Sequence, residues 1–238
     1  MLEHLRGVLH PGDVLLVRTE RKVTTALLPG FWAHAALYVG GQRDLTALGL
    51  QTLPQVRKHW DTIPADGGRF GHVIEAINPR VLINPLERSL CADHVVVLRP
   101  NVSEPELAAA LAEAFSHVGK PYDFEFDFNV TSRIVCTELI YRSFHRRAGI
   151  EFSLIKRLGR YTLSGDDIMH QFLETLGRSA TPEHAPFHLV ALALKHAGAR
   201  TRVVPEPAQV ESLRRIQGGA RPVSAEPFFN PNLVSSHD

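Results

Sequence analysis

The chain has 238 residues, 44% apolar and 21% charged, with a formal net charge of +1. That length and balance suit one sizeable globular domain, with or without an appendage, that can bury a core. The near-zero charge advertises no attraction to nucleic acid or anionic membrane, two cysteines are too few for a disulfide scaffold, and no run of about 18 apolar residues offers a spanning helix.

The first segment, Met1 to Pro11, lacks the basic and apolar regions of a secretory signal, so a cytoplasmic, reducing location is the expectation. Asp13–Arg18 follows a Pro-Gly turn and reads as a buried strand. Ala33–Val39 reads as the next strand, closed by Gly40 and Gly41, with His34, Ala36 and Tyr38 on one face. Residues 41–71 look like an insertion built around a broken helix (Leu45, Leu48, Val56, Trp60), a length that often serves as a lid.

His72–Ile77 and Arg80–Asn84 form a strand and its return, and Asp93–Arg99 a fifth strand stopped by Pro100. Ser103 fits the cap of a helix that begins with Glu104, Pro105 and Glu106 and reaches about Val118. Tyr122–Phe128 alternates aromatic and acidic residues, a half-buried strand or extended edge. A helix then starts at or near Cys136 and runs to about Ala148. Ser164 caps another helix from Gly165 to Leu176, and Thr181-Pro182-Glu183 opens a further one ending at Gly198. Beyond Arg200 the chain is rich in proline and glycine, an irregular tail, apart from a short helix at Gln209–Ile216, that either wraps the domain or stays mobile. The expected division is a domain over residues 1–200 followed by a tail over 201–238.

Three polar residues in apolar surroundings carry the chemical interest. Cys136 lies in the first turn of its helix, where the backbone dipole favours thiolate over thiol. It also shares a helix face with Leu139, Ile140, Ser143 and Phe144, and a free cysteine on such a face often only fills space. His34 opens an otherwise small or aliphatic strand, where a buried ring needs a partner because an unpaired polar group costs roughly 1–3 kcal/mol. A histidine in such a strand is more often a satisfied core residue than a catalyst, and the chain has 13 of them. Glu75 shares a strand face with Val73 and Ile77. It either pairs with a neighbour such as His34, which would fix the imidazole's orientation, or lies on the solvated side of an edge strand.

In order, Pro11-Gly12-Asp13-Val14, His34 to Gly40, Val73 to Ala76, Val97 to Pro100, Gly119 to Asp123 and Val135 to Leu139 resemble the permuted papain-like enzymes of the YiiX type, in the NlpC superfamily. The resemblance covers about residues 11–145. Histidine before cysteine is the order that circular permutation leaves. The resemblance implies Cys136 as nucleophile, His34 as base and Glu75 as the residue that orients it. Val135 and Thr137 stand where the common pattern has tyrosine and serine. The missing tyrosine removes a hydroxyl from the oxyanion site, and Tyr122 is a candidate substitute.

The implied fold is α+β: an antiparallel, partly barrel-like sheet of five or six strands packed against the Cys136 helix and the helix from Glu104. The implied activity is cysteine-dependent hydrolysis of a peptide-like or cell-wall-derived amide through a thioester. Lipid acyl hydrolysis or transfer is second, and a binding domain that has lost the chemistry is the rival from another class. No metal or organic cofactor is implied: His184 and His188 are spaced i,i+4 but lack an intervening glutamate and a third ligand. The expected partner is therefore a small-molecule, peptide or lipid substrate, with no nucleic acid.

Overall fold

The computed structural model describes residues 1–20, 30–66, 71–178, 185–195 and 200–219. Its strands are β1 (Val14–Arg18), β2 (His34–Gly40), β3 (His72–Ile77), β4 (Arg80–Pro85), β5 (His94–Pro100), β6 (Ile155–Arg157), β7 (Arg160–Thr162), β8 (Phe187–Leu194) and β9 (Arg202–Val203). Seven of them form one sheet in the order β4-β3-β2-β1-β5-β8-β9, and β6 and β7 form a separate hairpin. Every pairing in the large sheet is antiparallel.

Both faces of the sheet are covered, which explains why β1 and β5 carry unbroken apolar runs, Val14 to Val17 and Val95 to Leu98, rather than alternating with polar residues. Val14 and Leu16 of β1, with Val96 and Leu98 of β5, enter the larger core. That core also takes Leu139, Ile140 and Phe144 of the helix Cys136–Phe144 and Leu111 and Phe115 of the helix Glu104–Ser116. Ile168, Met169 and Phe172 enter it from the helix Gly165–Arg178. Leu15, Val17, Val95 and Val97 point the other way, into a smaller core closed by Leu5 of the helix Leu2–Val8 and Leu86 of the helix Leu86–Ser89. The broken-helix reading after Gly41 holds as four short turns, Gln42–Ala47, Leu50–Thr52, Pro54–Arg57 and Trp60–Thr62. Leu45, Leu50, Val56 and Ile63 anchor that segment in the larger core.

The structure departs from the sequence reading in four places. Among the described strands the sheet is open, with β4 and β9 as edges, so the partial barrel is not seen and the strand count exceeds five or six. Residues 122–128 form turns rather than a strand. Asp123 accepts the backbone N–H of both Glu125 and Asp127, and a side chain that bonds its own downstream backbone competes with ladder formation. Residues 187–194 form strand β8, not a helix, because Val95 to Pro100 of β5 offers a full antiparallel ladder to pair with; Thr181, Pro182 and His184 lie outside the described residues. Finally, the tail is not irregular outside its expected helix: β9 pairs with β8, and the helix Glu206–Gly219 buries Leu213 in the larger core.

Candidate active site

Strand phase alone would separate His34 from Cys136. His34 shares its face with Ala36 and Tyr38, which pack in the smaller core, whereas Cys136 belongs to the larger one. They meet because the β2–β3 ladder runs only from Gly40↔His72 to Leu37↔Ile74, leaving Ala36, Ala35 and His34 unpaired on that side. In β2 the N–H of Tyr38 points to Asp13 of the β1 side, so the odd-numbered residues point towards β3. With the ladder ended, the N–H of Ala35 is free, and it donates to the sulfur of Cys136.

The segment entering β2 is held from another element. Phe31 and Trp32 donate their N–H groups to Asp166, both at 2.8 Å, from the first turn of the helix Gly165–Arg178. Gly30 is required there: it has φ of +94°, and a Cβ would lie 2.3 Å from Asp166 Oδ2.

Cys136 is the first residue of its helix, with Val135 extended before it. The sulfur takes hydrogen bonds from the His34 ring and from the N–H groups of Ala35 and Thr137. Burial pushes the Cys136 thiol up, but the charge and hydrogen bond of His34, with the two backbone donors, outweigh it and hold the thiol below its ordinary value. Burial likewise disfavours a charged His34. Cys136, and after it Glu75, reverse that and raise the imidazole to about 10. His34 Nε2 meets Glu75 Oε2 at 2.7 Å, which leaves Nδ1 for the sulfur. Glu75 is 3% exposed; burial alone would raise its carboxyl, and its bonds with His34, Asn84 and Ser89 bring it down to about 2. Along Cys136, His34 and Glu75 the shifts favour alternating charge, negative on the thiol and the carboxyl and positive on the ring between them.

The chain matches the family model for the permuted papain-like amidase enzyme, YaeF/YiiX, C92 family, over residues 8–203. It belongs to that family. A solved structure, the metalloprotein yiiX from Escherichia coli O157:H7, is similar at 16% identity and a TM-score of 0.47, over 83% of this chain and 97% of that one. No curated protein matches. The family is one of amidases, so hydrolysis of amide bonds is the activity class to which this permuted papain-like chain is assigned.

All three residues singled out in the sequence come together in the permuted fold, and Glu75 sits buried rather than on a solvated edge. Thr137 lies beside them, buried, and contributes its N–H. Tyr122 is brought close because Ile134 donates to the Pro121 carbonyl while its own carbonyl accepts from Asp123. The phenol of Tyr122 is pushed up by burial and by the negative charge of Cys136. Glu138 and Arg142 form an i,i+4 ion pair at 2.6 Å on the same helix. Cys91 is exposed. Three contributors escaped the sequence reading: the N–H of Ala35, which only the split ladder frees, and the side chains of Asn84 and Ser89. Asn84 did carry a signal, since it is a polar residue on a return strand otherwise read as apolar. Among the described residues no three His, Cys, Asp or Glu side chains are grouped to hold a metal ion, and no helix is long and apolar enough to cross a membrane.

Proposed function

We propose that the protein is a cysteine-dependent amidase that cleaves a peptide-like bond through a thioester on Cys136. The observation that carries the reading is the chain Cys136–His34–Glu75, in which one imidazole bonds a helix-terminal thiol on one side and a buried carboxylate on the other. The thiolate of Cys136 attacks the amide carbon, and the carbonyl oxygen takes up negative charge. Backbone N–H groups at the start of the helix, with the hydroxyl of Tyr122 as a further donor, receive that charge; one such donor is typically worth ~10²–10³ in rate. Collapse of the tetrahedral adduct breaks the C–N bond as His34 gives its proton to the departing amine. His34, now neutral, takes a proton from water, whose oxygen attacks the thioester. The second adduct releases the carboxylic acid and restores thiolate and imidazolium. Proton transfer by a positioned group contributes ~10²–10⁴.

An activated acyl donor tests the covalent step whatever the natural substrate is. Mixing with p-nitrophenyl acetate should give a burst of p-nitrophenol, and acid quenching should leave the acetyl group on Cys136 as a hydroxylamine-labile thioester. Acetyl found on another residue, with Cys136 unmodified, would remove the thioester route.

A further inference from the structure

Glu75 is held by more than its histidine. Oε2 faces His34, while Oε1 accepts two hydrogen bonds, from Asn84 Nδ2 at 2.7 Å and from Ser89 Oγ at 2.8 Å. These donors come from different elements. Asn84 lies on β4, where the pairs Glu75↔Leu82 and Val73↔Asn84 make it the diagonal neighbour of Glu75 on one sheet face. Ser89 is the last residue of the helix Leu86–Ser89, whose Leu86 packs in the smaller core. Both residues are buried, at 5% and 8% exposure. Polar groups so placed are costly unless bonded, and what they bond is the carboxylate.

Their chemistry also discriminates between roles. A lysine or arginine on Oε1 would fix the carboxylate, but it would compete with imidazolium for the negative charge. An amide and a hydroxyl fix it without neutralising it. With both donors on one oxygen, only Oε2 is left for His34, and the plane of the carboxylate is set. The amide orientation of Asn84 is itself set by Arg88, whose Nη1 makes a long contact of 3.5 Å to Oδ1 and leaves Nδ2 for Glu75.

We propose that Asn84 and Ser89 are positioning residues that hold Glu75 ionised and turned towards His34, and so set the pH range over which the Cys136–His34 ion pair persists. This rests on the catalytic reading of Cys136, His34 and Glu75 above. The charged and titratable groups along the chain are His34 on β2, Cys136 on its helix with Tyr122 beside it, and Arg88 behind Asn84. Loss of the two donors leaves Oε1 unheld, so the carboxylate is free to turn away from His34. Its support for imidazolium weakens, and the thiol rises in turn.

The readout is the rate of Cys136 alkylation by iodoacetamide at pH 6 divided by that at pH 8.5, measured with the melting temperature. Asn84→Ala and Ser89→Ala should each lower the ratio, and the double variant several-fold, the change produced by a thiol that rises past pH 6. Ser89→Thr keeps the hydroxyl and should keep the ratio. Asn84→Asp, nearly isosteric, sets a second carboxyl against Oε1; it should lower the ratio, and it serves as the test if the double variant fails to fold. A wild-type ratio in a folded double variant, or in Asn84→Asp, while Glu75→Gln lowers it, overturns the positioning role and leaves the triad standing. A wild-type ratio in Glu75→Gln as well overturns the triad, and the inference with it.

Discussion

Replacing Cys136 with alanine should abolish turnover and acyl-enzyme formation while the protein stays folded. Removing a catalytic nucleophile costs on the order of 10⁶ in rate, because no other group at the site forms the covalent intermediate. The fold loses little. Cys136 contributes one sulfur at the edge of the larger core, and Leu139, Ile140 and Phe144 keep the helix packed. A change within about 1–2 kcal/mol is expected, as for an ordinary single truncation. Cys91→Ala, at an exposed position, should leave activity at the wild-type level. Assays and thermal melts of the two variants decide the matter: a dead Cys91→Ala beside an active Cys136→Ala would mean that the nucleophile is misassigned.

Glu75→Gln is the second large effect. Glutamine has the same length and keeps a hydrogen-bonding head, so the smaller core is undisturbed, but the anion opposite His34 is gone. The imidazole then falls from about 10 and the Cys136 thiol rises. The sign follows from the pair. Thiolate and imidazolium coexist between the two values, so activity is lost as pH falls through the thiol value and as pH rises through the imidazole value. Raising the first and lowering the second narrows the bell from both sides. The substituted amide also brings two N–H donors to a place where Asn84 and Ser89 already donate, so its oxygen turns to them and its NH₂ faces His34 Nε2. That arrangement favours the wrong, neutral form of the ring. Turnover should fall by ~10²–10⁴ at neutral pH, the range of proton-transfer assistance, with an unchanged melting temperature. Turnover and a pH profile equal to wild type would leave a Cys136–His34 dyad without Glu75.

The site was more legible in the sequence than the frame around it, for reasons that particular residues make plain. Cys136 announces itself by its place in a helix's first turn, and Glu75 by being charged within an apolar strand. Strand phase, however, puts His34 on the wrong side of the sheet for Cys136. What brings them together is the end of the β2–β3 ladder at Leu37↔Ile74, a pairing property that neither strand's sequence records. The same holds for β8. Thr181-Pro182-Glu183 is a sound helix-start signal, yet Leu189 to Leu194 is a continuous apolar run that fits a strand buried on both faces, and β5 supplies the partner. In residues 122–128 the aromatic–acidic alternation imitates a strand. There Asp123 captures two downstream N–H groups, and Phe126 adopts a φ of +54° that a strand does not allow. In the tail the helix expected at Gln209–Ile216 is longer, Glu206–Gly219, because Pro205 and Pro207 lie just before and within its first turn, where proline is tolerated.

The central claim is that Cys136 rests as a thiolate paired with the imidazolium of His34. It is tested most directly by the pH dependence of Cys136 alkylation in the wild-type protein, mapped by peptide mass spectrometry, beside a small free thiol in the same tube. An ordinary thiol of pKa about 8.5 loses ~100-fold in reactivity between pH 8.5 and pH 6 as it becomes protonated. Cys136 should keep its reactivity to within a few-fold over that interval, and His34→Ala should abolish the difference. A Cys136 whose alkylation falls in step with the free thiol would contradict the ion pair.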